Sequence, residues 1–193
     1  MIFTSTTRFY NTRKRQLVCQ LRMHTAALGA DGDRVYVGGT FTQIQNPLSD
    51  EIINQPYLFA YSKSSGDIIR SFDPVLNNRV LALETTGDGS GIFAGGAFSS
   101  INGEFGRRGL VKIDNNGDRV SGFTARPNAL VKTLVRLEDT LYAGGNFSRI
   151  SGTQVEHVAA IDTSTGAVNP NLNLDFEGRL FTADAPNTVQ GID

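Results

Sequence analysis

Residues 37–41 read VGGTF, residues 94–98 read AGGAF and residues 143–147 read AGGNF. A nearly identical stretch recurring at a spacing of 49 to 57 residues marks a repeat architecture, and this constrains the fold more than any other feature of the chain. Aligned on the glycine pairs, further positions fall into register. Each doublet is preceded by an alternating run that ends at Leu28, Leu83 or Leu134. A turn written GADGD, TTGDGS or RLED follows that run, with Gly and Asp supplying the backbone angles of tight connections. Three residues past each Phe stands Ile44, Ile101 or Ile150. Then come LFAYS, LVKID and VAAID, each leading into a turn with Gly66, Gly117 or Gly166. Phe72, Phe123 and Leu172 follow those glycines, and Val80, Val131 and Leu180 follow in turn.

Each unit thus holds four short apolar runs separated by turns. Strands of about 5 residues with connections of about 6 occupy roughly 44 residues, close to the repeat length, so one unit reads as one four-stranded antiparallel sheet. The central strand of the first unit carries Val35, Val37, Gly39 and Phe41 on one face and Tyr36, Gly38 and Thr40 on the other. Neither face is polar, which calls for cover on both sides. Sheets stacked radially as blades provide that cover. On this reading Gly38, Gly39, Gly95, Gly96, Gly144 and Gly145 remove side chains where an adjoining blade comes close. Phe41, Phe98 and Phe147 fill the wedge beyond. A phosphate-binding loop has no support, because neither GxxxxGK[ST] nor GxGxxG is present and no helix signal follows the doublets.

The expected fold is an all-β partial β-propeller of three four-stranded antiparallel blades, with incomplete blades at both ends. Residues 1–22 form a basic arm or the outer strand of a preceding blade, since Leu17 stands as far before Leu28 as Phe72 does before Leu83. Blades occupy 23–74, 79–127 and 130–174. Residues 178–193 start a fourth, GRLFTAD matching NRVLALE at 78–84. A ring of blades typically needs about four to eight. An open stack of three would leave apolar sheet faces uncovered, so the chain is expected to be a fragment of a longer propeller or to be completed by further copies or protein partners.

The pattern LYxGGxF, then a short apolar strand ending in Asp, then TG in the next turn and a later apolar anchor, resembles the delta-60 repeat β-propeller proteins. It is clearest in LYAGGNFSRISG at 141–152 and VAAIDTSTGAVNP at 158–170. The doublet is also kelch-like, although the Trp usual in kelch blades is missing from the whole sequence. The resemblance implies a propeller without assigned catalytic residues and an extracellular or cell-surface setting.

Charge narrows the partners. Arg8, Arg13, Lys14, Arg15 and Arg22 all precede the first acid, Asp31, so of 18 basic and 19 acidic side chains, 13 and 19 lie from residue 31 onward, a balance of −6. That body offers no broad basic surface for nucleic acid. The acid-free, Arg-rich and Ser/Thr-rich beginning also reads as an organelle presequence, a solvated basic arm or the interior of a longer gene. No apolar run approaches the ~20 residues needed to span a bilayer as a helix, so membrane insertion is not expected. Cys19 is the only cysteine, which rules out an internal disulfide.

No catalytic, cofactor or metal residues are assigned. His24 and His157 are the only histidines and lack a carboxylate cluster. No GxSxG provides a hydrolase nucleophile. The acidic turn Asp114–Asp118 lacks the DxDxDG spacing of a calcium loop and reads as a hairpin turn, with Asp114 and Asp162 as turn caps. The loop at 45–56 is longer than its counterpart in the second unit and is the expected recognition element, with Asn46, Pro47, Asp50, Glu51 and Asn54 as its polar and turn-forming residues. The functional expectation is a non-catalytic scaffold for protein–protein interaction, as a subunit of an assembly or a surface protein. A carbohydrate-binding module and an enzyme with a channel-mouth site are the alternatives.

Overall fold

The computed structural model describes residues 6–11, 16–22, 26–46, 51–106, 108–170 and 172. An initial hairpin joins β1 (Thr6–Asn11) to β2 (Gln16–Arg22). Three units of five strands follow. The first comprises β3 (Ala26–Asp31), β4 (Arg34–Gly39), β5 (Ile44–Gln45), β6 (Ile52–Ile53) and β7 (Leu58–Ser62). The second comprises β8 (Val80–Thr85), β9 (Gly91–Gly96), β10 (Ser100–Ile101), β11 (Glu104–Phe105) and β12 (Leu110–Asp114). The third comprises β13 (Val131–Leu137), β14 (Thr140–Gly145), β15 (Arg149–Ile150), β16 (Thr153–Gln154) and β17 (Val158–Asp162). No helix occurs among the described residues.

In every unit the long strands form an antiparallel sheet of the same order: β3-β4-β7, β8-β9-β12 and β13-β14-β17. The strand with the glycine doublet is central each time. The first strands β3, β8 and β13 lie side by side, β8 between the other two, as sheets converging on an axis require. The protein is an all-β partial propeller.

The fourth apolar run is shorter than the sequence suggests. It pairs through single antiparallel bridges, Tyr61 with Ile68, Ile113 with Arg119 and Ile161 with Val168. In the first two units a turn at residues 70–71 and 121–122 follows at once and carries the chain away to the next unit. Residues 178–193, the expected fourth blade, lie outside the described residues, as does His24.

Each unit also folds a small hairpin back along its outer edge, and the recurring isoleucines are its buried anchors. Ile44, Ile101 and Ile150 are all at most 1% exposed. In the second and third units the hairpin turns on Asn102-Gly103 and Ser151-Gly152, all four residues with positive φ, the geometry of the type I′ connection whose twist matches the strands it joins. The first unit replaces this turn with the longer loop, and its hairpin pairs instead with β2, Gln20 opposite Gln45.

The core is divided by junction. One cluster joins Tyr36, Leu58, Ala60 and Phe72 of the first unit to Val80, Leu83, Ile92, Phe98 and Ile101 of the second. Another joins Phe93, Leu110 and Phe123 of the second to Val131, Leu134, Leu141, Phe147 and Ile150 of the third. A third gathers Val37, Phe41, Ile44 and Phe59 on the remaining face of the first unit. The central strand of the second unit therefore turns its Phe-bearing face to the unit before it and its other face to the unit after it.

Candidate interaction surfaces

The glycines of each doublet have different neighbours. A Cβ on Gly38 would stand 2.5 Å from Val80 Cγ1 and 3.3 Å from Leu83 Cδ1, both in the second unit. On Gly95 it would stand 2.9 Å from Val131 Cγ1 and 3.3 Å from Leu134 Cδ1, in the third. The first glycine is thus the floor on which the next unit's Val and Leu rest. The second glycine faces its own unit: a Cβ on Gly96 would collide with the Arg79 carbonyl, and one on Gly145 with the Leu130 carbonyl. In both units the first strand shifts register opposite this glycine, between Val80 and Ala82 and between Val131 and Thr133. A bulge there presses backbone against backbone, and only a residue without Cβ fits. Gly39 donates its N–H to the Tyr57 carbonyl, and Gly144 lies in the same sheet, paired with Val158.

Polar contacts cross the junctions at matching places. Arg34 donates to the Asn115 carbonyl at 2.9 Å, and the Tyr36 hydroxyl donates to Asn115 Oδ1 at 2.7 Å. Burial holds the Tyr36 phenol above its ordinary pKa, so it remains a donor. At the second junction Phe93 replaces the tyrosine. Lys112 lies 5.3 Å from its ring centroid and donates to the Thr163 carbonyl at 3.2 Å.

Between units the chain does not simply cross over; it clasps the unit ahead. Val75 N–H donates to Asn102 Oδ1 and the Val75 carbonyl accepts from Asn102 N–H, each at 2.8 Å. Asn77 Oδ1 accepts from the N–H groups of Ser99 and Ser100, at 2.8 and 3.1 Å. The next link repeats the pattern, with Arg126 on Ser151 and Asn128 Oδ1 accepting from Ser148 and Arg149. Gly117 and Gly166, both with positive φ, let the link pass. A Cβ there would press on Asp73 and Pro74, or on Thr124 and Ala125. Sequence reasoning missed Asn77 and Asn128; their shared place three residues before Val80 and Val131 was the available signal.

The carboxylates with altered acidity are turn caps. The Thr165 hydroxyl, then that of Ser164, then their amides, hold Asp162 far below the ordinary carboxylate range. The Thr86 and Ser90 hydroxyls and the Ser90 amide do the same for Asp88. The Ser62 hydroxyl leads the lowering at Asp33. Asp114 Oδ1 accepts from the amides of Asn116 and Asp118. Among the described residues no group of three or more His, Cys, Asp or Glu is placed to hold a metal ion. His157 adopts positive φ at the entry to β17, where the second unit has Gly109, and its Nδ1 is buried without a partner.

The expected recognition loop is partly described. Asn46 N–H donates to the Glu51 carbonyl, Glu51 forms a 2.6 Å ion pair with Arg70, and Asn54 is exposed. Pro47 and Asp50 lie outside the described residues. Glu104 ties the second hairpin to Arg119 in the same way, at 2.7 Å. Beside these ion pairs Ile52 and Phe105 stand exposed, at 64% and 80%. A groove of about 580 Å³ opens on the far side of the third unit, lined in part by Val155, Val158, Pro170 and Leu172. A smaller cavity of about 250 Å³ lies between Phe98 and Asn128.

No protein-family model matches the chain, and no curated protein does. Among solved structures, a chain of the crystal structure of the mitotic checkpoint complex is similar at 13% identity with a TM-score of 0.40. The match covers 84% of this chain and 58% of that one, so this chain spans less than two thirds of its length. So loose a likeness carries no argument, and the propeller assignment rests on the three sheets and their junctions. No helix among the described residues is long and apolar enough to cross a membrane.

Proposed function

We propose that this protein is a non-catalytic propeller scaffold for protein–protein interaction, built from repeats of the delta-60 kind. The observation that carries the reading is the contrast between frame and edge. The junction residues repeat from unit to unit, whereas the first outer hairpin has a longer loop than the other two, and two of the three hairpins expose a large apolar side chain, Ile52 and Phe105, beside an ion pair. A fixed frame with variable, partly apolar edges suits recognition of protein surfaces, where apolar anchors supply most of the energy and polar neighbours set orientation. The acidic groups held most strongly ionised are engaged in turns, which makes them poor proton acceptors and fits a structural use.

Photo-crosslinking tests this. A benzophenone amino acid at Phe105 of the full chain is expected to capture protein partners in the cells that make it. Capture should fall at least tenfold when Ile52 and Glu51 are replaced by Ser and Lys. Absence of any captured protein at Phe105 overturns the reading.

A further inference from the structure

The second junction breaks the repeat at one place. The residue that enters the last strand of each sheet has positive φ in all three units, and its carbonyl accepts the N–H of the second doublet glycine: Tyr57 from Gly39, Gly109 from Gly96, His157 from Gly145. Tyr57 packs against the core of the first junction. Gly109 brings no side chain, and there the cavity of about 250 Å³ opens, between residues 96–99 of the second unit and 128–130 of the third. The preceding residue changes with it. Where the flanking units have Pro56 and Glu156, the second has Arg108, exposed and lining the cavity.

The cavity is built for an anion on a short apolar stem. No carboxylate lines it, and Arg108 is its one charged group. A second exposed arginine, Arg79, stands at its wall, because the Arg79 carbonyl accepts the Ala97 N–H. Neither guanidinium has a partner among the described residues. The Ser99 hydroxyl accepts from Asn77 Nδ2, which leaves its own proton free to donate. The turn carboxylates Asp88 and Asp114 lie past the far ends of β9 and β12, a strand length of roughly 15 Å away. That exceeds the Debye length of about 8 Å at physiological salt, so they do not cancel the positive field here.

We propose that this cavity binds the carboxylate side chain, glutamate above all, of an acidic segment on a protein partner. The proposal rests on the scaffold reading and names the chemistry of its partner. Arg108 pairs with the carboxylate, whose geometry a guanidinium matches with two parallel donors. Ser99 supplies a further donor, and Ala97 and Ala129 flank the methylene stem. The third unit repeats the Asn–Ser bond through Asn128 and Ser148, but Glu156 there repels the same ligand.

The test titrates the full chain with the peptide acetyl-Gly-Glu-Glu-Gly-amide and follows backbone amide NMR signals. The expected shifts fall on Ala97, Ser99, Gly109 and Ala129 and are absent with the Gln-for-Glu peptide. Arg108→Ala, an exposed position that leaves the core intact, should weaken binding about tenfold, the loss of one charge-assisted hydrogen bond. Arg126→Ala, which removes an exposed arginine outside the cavity, should change it less than twofold. No shift at millimolar peptide, shifts elsewhere, equal weakening by both substitutions, or free glutarate binding as tightly as the peptide overturns the proposal. If Phe105 captures protein partners while the peptide leaves these signals unmoved, the cavity proposal fails and the scaffold reading stands. If Phe105 captures nothing, the scaffold reading fails whatever the titration shows.

Discussion

Gly38 and Val80 meet across the first junction so closely that one methyl group on the glycine would come within 2.5 Å of the valine Cγ1. Because Val80 is fully buried, it has no free space to retreat into. Gly38→Ala is expected to lower unfolding free energy by about 1–3 kcal/mol, the usual range for overpacking. Adding Val80→Ala should recover part of the loss, giving a coupling of about 0.5–3 kcal/mol in a urea double-mutant cycle. Simple additivity of the two substitutions would contradict the contact.

Gly103 and Gly117 share a left-handed backbone but not surroundings. Around Gly103 nothing lies within 4 Å of a Cβ, whereas at Gly117 it would stand 2.9 Å from the backbone nitrogens of Asp73 and Pro74. Gly103→Ala should cost only the conformational penalty, about 1–2 kcal/mol. Gly117→Ala should cost more, because the link to the next unit must move as well. Thermal melts of the two variants rank them.

Asn77 holds Ser99 and Ser100 through one carboxamide oxygen and the Ser99 hydroxyl through its nitrogen. Asn77→Ala should destabilise by about 1–2 kcal/mol, since it leaves two backbone N–H groups without their acceptor. Hydrogen exchange at Ser99 and Ser100 should accelerate while the strands β9 and β12 keep their protection. Asn128→Ala should reproduce the effect at Ser148 and Arg149.

Asp162 is more acidic folded than unfolded, because the Thr165 and Ser164 hydroxyls and amides bind its charged form. Its contribution is complete above the unfolded value of about 3.9 and declines as pH falls toward the depressed folded value. Asp88 behaves alike through Thr86 and Ser90. Stability is expected to hold from neutral pH down to about 4 on account of these groups and to fall below it. In Asp162→Asn the acid-side decline should be shallower, as read by denaturant midpoints between pH 2 and 7.

The repeat was legible because its determinants are local: a doublet on a strand, a turn glycine, an apolar residue at a fixed offset. Gly38 and Gly96 nevertheless look identical in sequence and serve different neighbours, one across a junction and one beneath a bulge in its own sheet. A one-residue register shift between Val80 and Ala82 leaves no compositional trace. The hairpins β10-β11 and β15-β16 are two residues per strand, too short for alternation to show, so only Ile101 and Ile150 signalled them. The clasp by Asn77 and Asn128 spans 20 to 23 residues to its partners, and asparagine before a strand reads equally well as an ordinary turn. The fourth run looked like a full strand because its apolar residues pack into the junction clusters, as Phe72 does beside Tyr36 of its own unit at 5.1 Å, without pairing along a ladder.

The clasp has a mechanical side. Since each of the two connecting stretches is sewn to the sheet in front of it at several points, a link can be peeled from that sheet only by giving up those bonds, which couples the loss of one blade to the fraying of the next.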